Sequence, residues 1–303
     1  MVSVIMAAYN ASAFISEAIE SVLSQSYENI ELIVIDDGSK DDTKAKIMPY
    51  KGNLRYLRQN NAGVSAARNL GLLSARGDLI TCFDADDIML CDKIEVQVAF
   101  LKKHPQVAAV FADYLNFKNG RVYEKSHFQT CPILKKRFSE NQGNEIILIP
   151  VEGRTILAQE NFTIADAPLF HGSILAKVGL FDRNLSQGED FEFHYRIALA
   201  YSIGVIDRIL FKRRLHENNS TKKLGTLNIK DASRSREKIL LYEKDKLIRR
   251  EIKSWLRELY LGLAYQRIRH QKMKAMQLTL LSMKYGGSLK PRFYKNLAGI
   301  VLR

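Results

Sequence analysis

The chain has 303 residues, 46% hydrophobic and 26% charged, values that suit a soluble globular protein large enough for one α/β domain and an appendage. No run approaches the roughly 18 to 20 apolar residues of a membrane-spanning helix, and Cys82, Cys91 and Cys131 match neither a disulfide framework nor a metal-type spacing. The net charge of +13 is unevenly placed: residues 1–229 hold 27 Lys+Arg and 27 Asp+Glu, whereas residues 230–303 hold 19 and 6.

The division at residue 229 predicts two domains, 1–229 and a basic helical region over 230–303. The N-terminus lacks a basic flank and enters a strand pattern directly, so no signal peptide is expected. With unpaired cysteines, this predicts a cytoplasmic protein. Strands are expected over 2–8, 30–35, 54–57, 79–83 and 107–114. Helices are expected between them, over 12–25 with Ser12 as N-cap, then 41–48, 64–75 and 88–103. This alternation predicts a mostly parallel central sheet with helices on both faces. Residues 117–165 are irregular, apart from a strand over 146–151. Beyond them, 170–175 is extended, 188–201 is a helix, and 203–206 and 209–211 are two short strands. After residue 230 the pattern is purely helical.

Ligands bind parallel sheets at the carboxyl ends of the strands. Polar residues collect at three such ends: Tyr9-Asn10, Asp36-Asp37 and Asp84-Ala85-Asp86-Asp87. Residues two apart on an extended segment point to one side, so Asp84 and Asp86 are expected to aim at one point. Paired carboxylates there suit a divalent cation, Mn²⁺ or Mg²⁺, carrying a diphosphate. Asp190 lies at a separate loop-to-helix junction and suits a general base. A helix N-terminus should lower its pKa and keep it ionised.

Five motifs in order then carry a resemblance. Val2-Ser3-Val4-Ile5-Met6-Ala7-Ala8-Tyr9-Asn10, Ile33-Val34-Ile35-Asp36-Asp37-Gly38-Ser39, Gly63-Val64-Ser65-Ala66-Ala67-Arg68-Asn69-Leu70-Gly71, Asp84-Ala85-Asp86-Asp87 and Gly188-Glu189-Asp190 resemble the family 2 glycosyltransferases over about residues 2–220. The resemblance implies a GT-A fold, inversion at the anomeric carbon and a nucleotide-sugar donor, with UDP first among the nucleotides. It implies that Ala7, Ala8, Tyr9, Asn10, Asp37, Arg68, Asp84 and Ala85 bind the donor. Tyr9 would flank the base, Asp37 would meet the uracil edge, Arg68 the nucleotide side and Asp84 the ribose. Asp86 would bind the metal with His216 as a further metal or diphosphate contact, Asp190 would be the base, and Glu189 and Asp87 would support. Many relatives carry Pro-x-Tyr-Asn where this chain has Ala7-Ala8-Tyr9-Asn10. The acceptor implied is a hydroxyl of a glycan or lipid-linked molecule in surface polysaccharide or glycoconjugate assembly.

Plainer readings stand beside these. Asp86 or Asp87 could cap the helix expected at Ile88, with Asp87 the better candidate. Asp36 and Asp37 could be turn residues, Arg68 a solvated helix residue and His216 a solvated loop residue. His194, one turn after Asp190, could pair with it, a structural role being the stronger expectation. A nucleotidyltransferase on a similar fold is the competing enzyme, but the Tyr9-Asn10-Ala11-Ser12 loop lacks the Gly and Lys that would hold a triphosphate. A non-catalytic protein binding anions or membrane through its tail is the competitor from another class. The basic tail suits either a solvated helix face or a membrane surface, with Phe293, Tyr294, Leu297, Ile300, Val301 and Leu302 expected to insert shallowly. It carries no nucleic-acid motif, so nucleic acid is not an expected partner.

Overall fold

A computed structural model describes residues 1–217, 229–268, 270–286 and 291–301. The chain divides into two compact units, Met1–Asp231 and Ala232–Arg303.

The first unit begins with β1 (Val2–Ala8), α1 (Ile15–Leu23), β2 (Ile30–Asp36), α2 (Thr43–Ile47), β3 (Arg55–Arg58) and α3 (Val64–Ser74). It continues with β4 (Leu79–Asp84), β5 (Ile88–Met89), α4 (Lys93–Lys103), β6 (Val107–Lys118), β7 (Arg121–Val122) and α5 (Pro132–Asn141). It ends with β8 (Glu145–Leu148), α6 (Pro150–Gln159), β9 (Pro168–His171), α7 (Leu175–Val178), α8 (Glu189–Ala200) and β10 (Ser202–Arg214). Among the described residues these strands form one ten-stranded sheet in the order β3-β2-β1-β4-β9-β6-β10-β5, with β7 on β6 and β8 on β10.

The strands β3, β2, β1 and β4 are mutually parallel, and β6 is parallel to β10. Val4, Ile5 and Met6 are fully buried, as are Ile33, Val34 and Ile35, which is why these strands read as continuous apolar runs. Register aligns Ala8 with Asp36 and Ala7 with Asp84, so three motifs end side by side. Helix α3 approaches β1 closely at Gly71, where a Cβ would fall 2.2 Å from Ile5 Cγ2.

β9 runs antiparallel to both neighbours, β4 and β6. Its first residues therefore meet the end of β4. β10 also pairs antiparallel with β5, aligning Lys212 with Ile88, so Arg213 and Arg214 arrive beside Asp86 and Asp87.

Several expectations are corrected. α1 starts at Ile15, not Ser12, because the Ser12 N–H donates to Asp41 and the Ala11 N–H to the Thr43 hydroxyl. Ile88 and Met89 form a strand rather than a helix start, since β10 supplies their ladder and α4 begins only at Lys93. Asp87 is thus no helix cap. Residues 203–206 and 209–211 are one strand whose register shifts at the exposed Asp207 and Arg208. The irregular stretch holds two unforeseen helices, α5 and α6; β8 ends at Leu148 because Pro150 opens α6.

The second unit is built from α9 (Ile229–Tyr242), α10 (Lys246–Arg267), α11 (Lys272–Met283) and α12 (Pro291–Val301). Asp245 caps α10, accepting from the Leu247 and Ile248 N–H groups at 2.8 and 3.1 Å. α10 buries Ile248, Ile252, Leu256 and Leu261. Tyr260 and Tyr285 stack with ring centroids 5.9 Å apart, and both hydroxyls donate to Glu237. Phe293 and Ile300, expected to insert into lipid, are 6% and 7% exposed and belong to this unit's core. Tyr294 is exposed, Leu297 is half-buried, and Leu302 and the Val301 side chain lie outside the described residues.

Candidate functional site

The carboxylates after β4 converge through a turn rather than by strand alternation. β4 ends at Asp84, Ala85 and Asp86 turn, and the Asp87 N–H returns to the Asp84 carbonyl at 3.4 Å. One ligand oxygen from each of Asp84, Asp86 and Asp87 lies within 4.8 Å of the others. His216 follows β10 and brings Nε2 to 2.8 Å from Asp86 Oδ2. The His216 ring sits beside Phe14, centroids 4.7 Å apart. Burial, then the nearby Asp84 charge, pushes the Asp86 carboxyl above its ordinary range, and His216 opposes the shift. A cation would relieve this crowding of negative charge. The donor set of carboxylate oxygens and one imidazole fits Mg²⁺ or Mn²⁺.

The three aspartates are not equivalent. Asp84 and Asp86 keep exposed surface, whereas Asp87 is buried. Asp87 Oδ1 accepts the Arg214 N–H at 2.7 Å, and the Arg214 Nε donates to the Asp86 carbonyl at 2.8 Å. Arg214 also pairs with Glu17 and lies over the Phe14 and Phe117 rings. The turn is therefore clamped from β10. Asp166, just before β9, clamps it from the other side: its Oδ1 accepts the Asp84 N–H at 3.0 Å. Burial, then other carboxylates, raises Asp87 and Asp166 well above the usual carboxylate range.

Arg68 joins this cluster to Glu189 at the start of α8. It is only 4% exposed, with Nη2 2.8 Å from Asp84 Oδ1 and Nη1 2.7 Å from Glu189 Oε1. The adjacent Asn69 holds the Phe181 backbone in both directions, at 2.8 and 2.9 Å. α3 thereby fixes the segment leading into α8. Gly188 precedes α8 with φ of 70°, a left-handed conformation that favours glycine.

Asp190 follows Glu189 in the first turn of α8, and its Oδ1 accepts the Phe191 N–H at 2.7 Å. Its pKa is raised to about 6, opposite to the expected lowering. Burial is the first cause and the Glu189 charge the second, and together they outweigh Arg68 and the Phe191 N–H. His194 does not join Asp190: its ring packs edge-on against Phe111, and burial, then Arg68 and Arg196, lowers its pKa to about 3.

At the end of β1, Ala8 is buried, Ala7 and Ala85 add little exposed surface, and Tyr9 is 47% exposed. Asn10 adopts φ of 50°, its N–H donating to Ser39 Oγ and its Oδ1 accepting from the Lys40 N–H. Asp36 is wholly buried among Ser39, Tyr56 and Arg58 and is structural. Asp37 is 3% exposed: Oδ1 accepts from Gln59 and the Ala62 N–H, and Oδ2 from the Gly63 N–H. Its carboxylate ties down the 59–63 loop and leaves at most one lone pair, on Oδ2, for a base edge. Arg68, expected on the nucleotide side, forms a buried link between carboxylates.

The sequence reading missed Asp166, Arg213 and Arg214. An acid within Ala165-Asp166-Ala167-Pro168 and paired arginines at a strand end were the available signals. Burial opposes the Arg213 charge, but the neighbouring Tyr114 hydroxyl and the Asp87, Asp84 and Asp166 carboxyls outweigh it and raise its pKa above the ordinary arginine value.

A sheet of this order, with carboxylates gathered at the β4 end and an independent carboxylate at a helix start, defines the GT-A fold. A family profile described as "Glycosyl transferase family 2" matches residues 3–161, just over half of the chain, and the chain belongs to that family. The "Uncharacterized glycosyltransferase RP339" of Rickettsia prowazekii (strain Madrid E) is 31% identical over 222 residues, covering 73% of this chain and 66% of that protein. Larger Rickettsia relatives are matched over only 34% and 32% of their length. The Escherichia coli "UDP-Glc:alpha-D-GlcNAc-diphosphoundecaprenol beta-1,3-glucosyltransferase WfgD" is 36% identical over 127 residues, 41% of this chain and 50% of that protein. Among solved structures, S. aureus TarS 1-349 in complex with UDP-GlcNAc matches at a TM-score of 0.69 and 19% identity, covering 99% of this chain and 88% of that one. The mannosyltransferase PcManGT from Pyrobaculum calidifontis in complex with GDP-Man and Mn2+ matches at 0.62 and 15%, covering 99% and 86%. These two likenesses concern the fold.

Proposed function

We propose that the chain is an inverting, divalent-metal-dependent glycosyltransferase. It moves a hexosyl group from a nucleotide-diphosphate donor, a UDP-sugar before others, to a hydroxyl of a glycan or lipid-linked acceptor in surface polysaccharide or glycoconjugate assembly. Family membership, the UDP-GlcNAc complex of TarS and the lipid-linked acceptor in the name of WfgD support this reading. The observation that carries it is Arg68, which ties the cation-type cluster at Asp84 to the α8 start where Asp190 stands.

In this reading Asp190 takes the proton of the acceptor hydroxyl, whose oxygen forms a bond to the anomeric carbon. The bond from that carbon to the diphosphate oxygen breaks, and the nucleoside diphosphate leaves with the electron pair. Asp86 and His216 would hold the divalent cation, whose charge would neutralise that developing on the diphosphate. Glu189 keeps Arg68 in place and keeps Asp190 basic. Tyr9 offers its exposed face to the base, Asp84 its free edge to the ribose, and Asp37 orders the loop beneath. Arg214 and Asp87 hold the turn that presents Asp86. The basic helices of the second unit face the cytoplasmic surface of the membrane, where a lipid-linked acceptor is met.

Nucleotide release from UDP-, GDP- and dTDP-sugars, with and without Mn²⁺, tests the proposal. Turnover with one donor class is expected, with Asp86→Ala abolishing both the Mn²⁺ response and most of the rate. Absence of both nucleotide binding and turnover with every donor would sink the transferase reading. Metal-independent turnover unaffected by Asp86→Ala would sink the metal assignment.

A further inference from the structure

We infer that α11 is a membrane-contacting helix, seating one apolar row in a bilayer surface that carries anionic lipid. The inference deepens the membrane-surface reading above and rests on it.

α11 is oriented against the ordinary pattern of a packed helix. Its inward residues are small, with Ala275, Thr279 and Ser282 buried. Its large apolar residues Met273, Met276, Leu280 and Met283 are exposed, Met273 to 79%, and Leu281 is exposed outside the row these four form. At helical spacing these four fall within an arc of about 80°. Nothing in the described chain covers them, although Ala275, Thr279 and Ser282 show that the adjoining face of the helix is packed.

Charge selects the occupant. Lys272, Lys274 and Lys284 are exposed along the same helix and its end. From residue 259 to residue 303 the sequence has nine Lys+Arg and no Asp or Glu. A second copy of this chain would bring like charge against like charge. Nucleic acid would use the cations but leave the apolar row in water. An anionic bilayer surface satisfies both, because apolar side chains bury among acyl chains while lysines meet the headgroups. Methionines add flexible, adaptable apolar contact.

The test is cosedimentation of the full chain with phosphatidylglycerol/phosphatidylcholine vesicles and with pure phosphatidylcholine vesicles. Binding to the anionic vesicles is expected, weakening with salt and falling about tenfold or more in Met273→Gln/Leu280→Gln. Leu73→Gln, at an exposed position of the first unit, should leave binding unchanged. Equal binding by the double variant, or equal binding to neutral vesicles, overturns the inference. So does a dimer in sedimentation velocity that the double substitution dissolves while vesicles go unbound, which assigns the row to a second copy. Nucleotide release by the double variant is expected at the parent rate, so failure of this inference and failure of the transferase reading are told apart.

Discussion

A carboxylate serves as a base only while ionised, and it serves better as its pKa rises toward the working pH. Asp190 stands near this compromise, with a pKa raised to about 6 by burial and by Glu189. Below that value it carries a proton and cannot accept another. Activity should therefore fall as pH drops through about 6, giving an acid limb in kcat/KM that Asp190→Asn removes. The same variant should lower kcat by about 10²- to 10⁴-fold while donor binding, read by calorimetry, persists. Arg68 bears on stability as well as chemistry. Arg68→Met would leave Glu189 buried without its cation, a loss of about 3 kcal/mol in urea unfolding. The motif residues Arg68 and Asn69 were visible in the sequence, but their tasks were not. Arg68 reaches 121 positions along the chain to Glu189, and Asn69 reaches 112 to Phe181, and no local pattern encodes such partners.

At the scale of elements, the strands β1, β2 and β4 were legible because they are buried on both faces and read as unbroken apolar runs. Legibility failed where tertiary contacts overrode local preference. Ile88-Met89-Leu90 looks like a helix start, yet β10 supplies ladder bonds to it and the Leu90 N–H donates to the Leu210 carbonyl. The short β9 was only partly legible: residues 170–175 read as extended, yet the strand is Pro168–His171 and the chain turns helical from Gly172. Four residues carry too little periodicity to fix its bounds, and its direction has no sequence signature. The close contact of α3 with β1 gives a prediction at this scale. Gly71→Ala would drive a methyl against the fully buried, β-branched Ile5, costing about 1–3 kcal/mol in urea unfolding. Because Arg68 lies one turn before Gly71, the variant should also weaken donor binding.

For the molecule as a whole, pH enters through a buried imidazole outside the proposed chemistry. His194 has an ordinary pKa of 6.5 and a folded value lowered to about 3. The unfolded chain therefore binds the extra proton first, so the stability that neutral His194 contributes is complete above 6.5 and is lost as pH falls from 6.5 toward 3. The stability difference between the parent and His194→Leu should shrink between pH 7 and pH 5, measured by denaturant unfolding. The placement of β9 has another consequence. β4 and β6 are made early in synthesis but are not neighbours, and the strand that separates them, Pro168–His171, is translated much later. Until then a nascent chain holds an open seam in the middle of its own sheet, with two strand edges unpaired. The order in which the ribosome delivers the strands is not the order in which the sheet can close. Folding must wait for the same short segment that brings Asp166 to the end of β4.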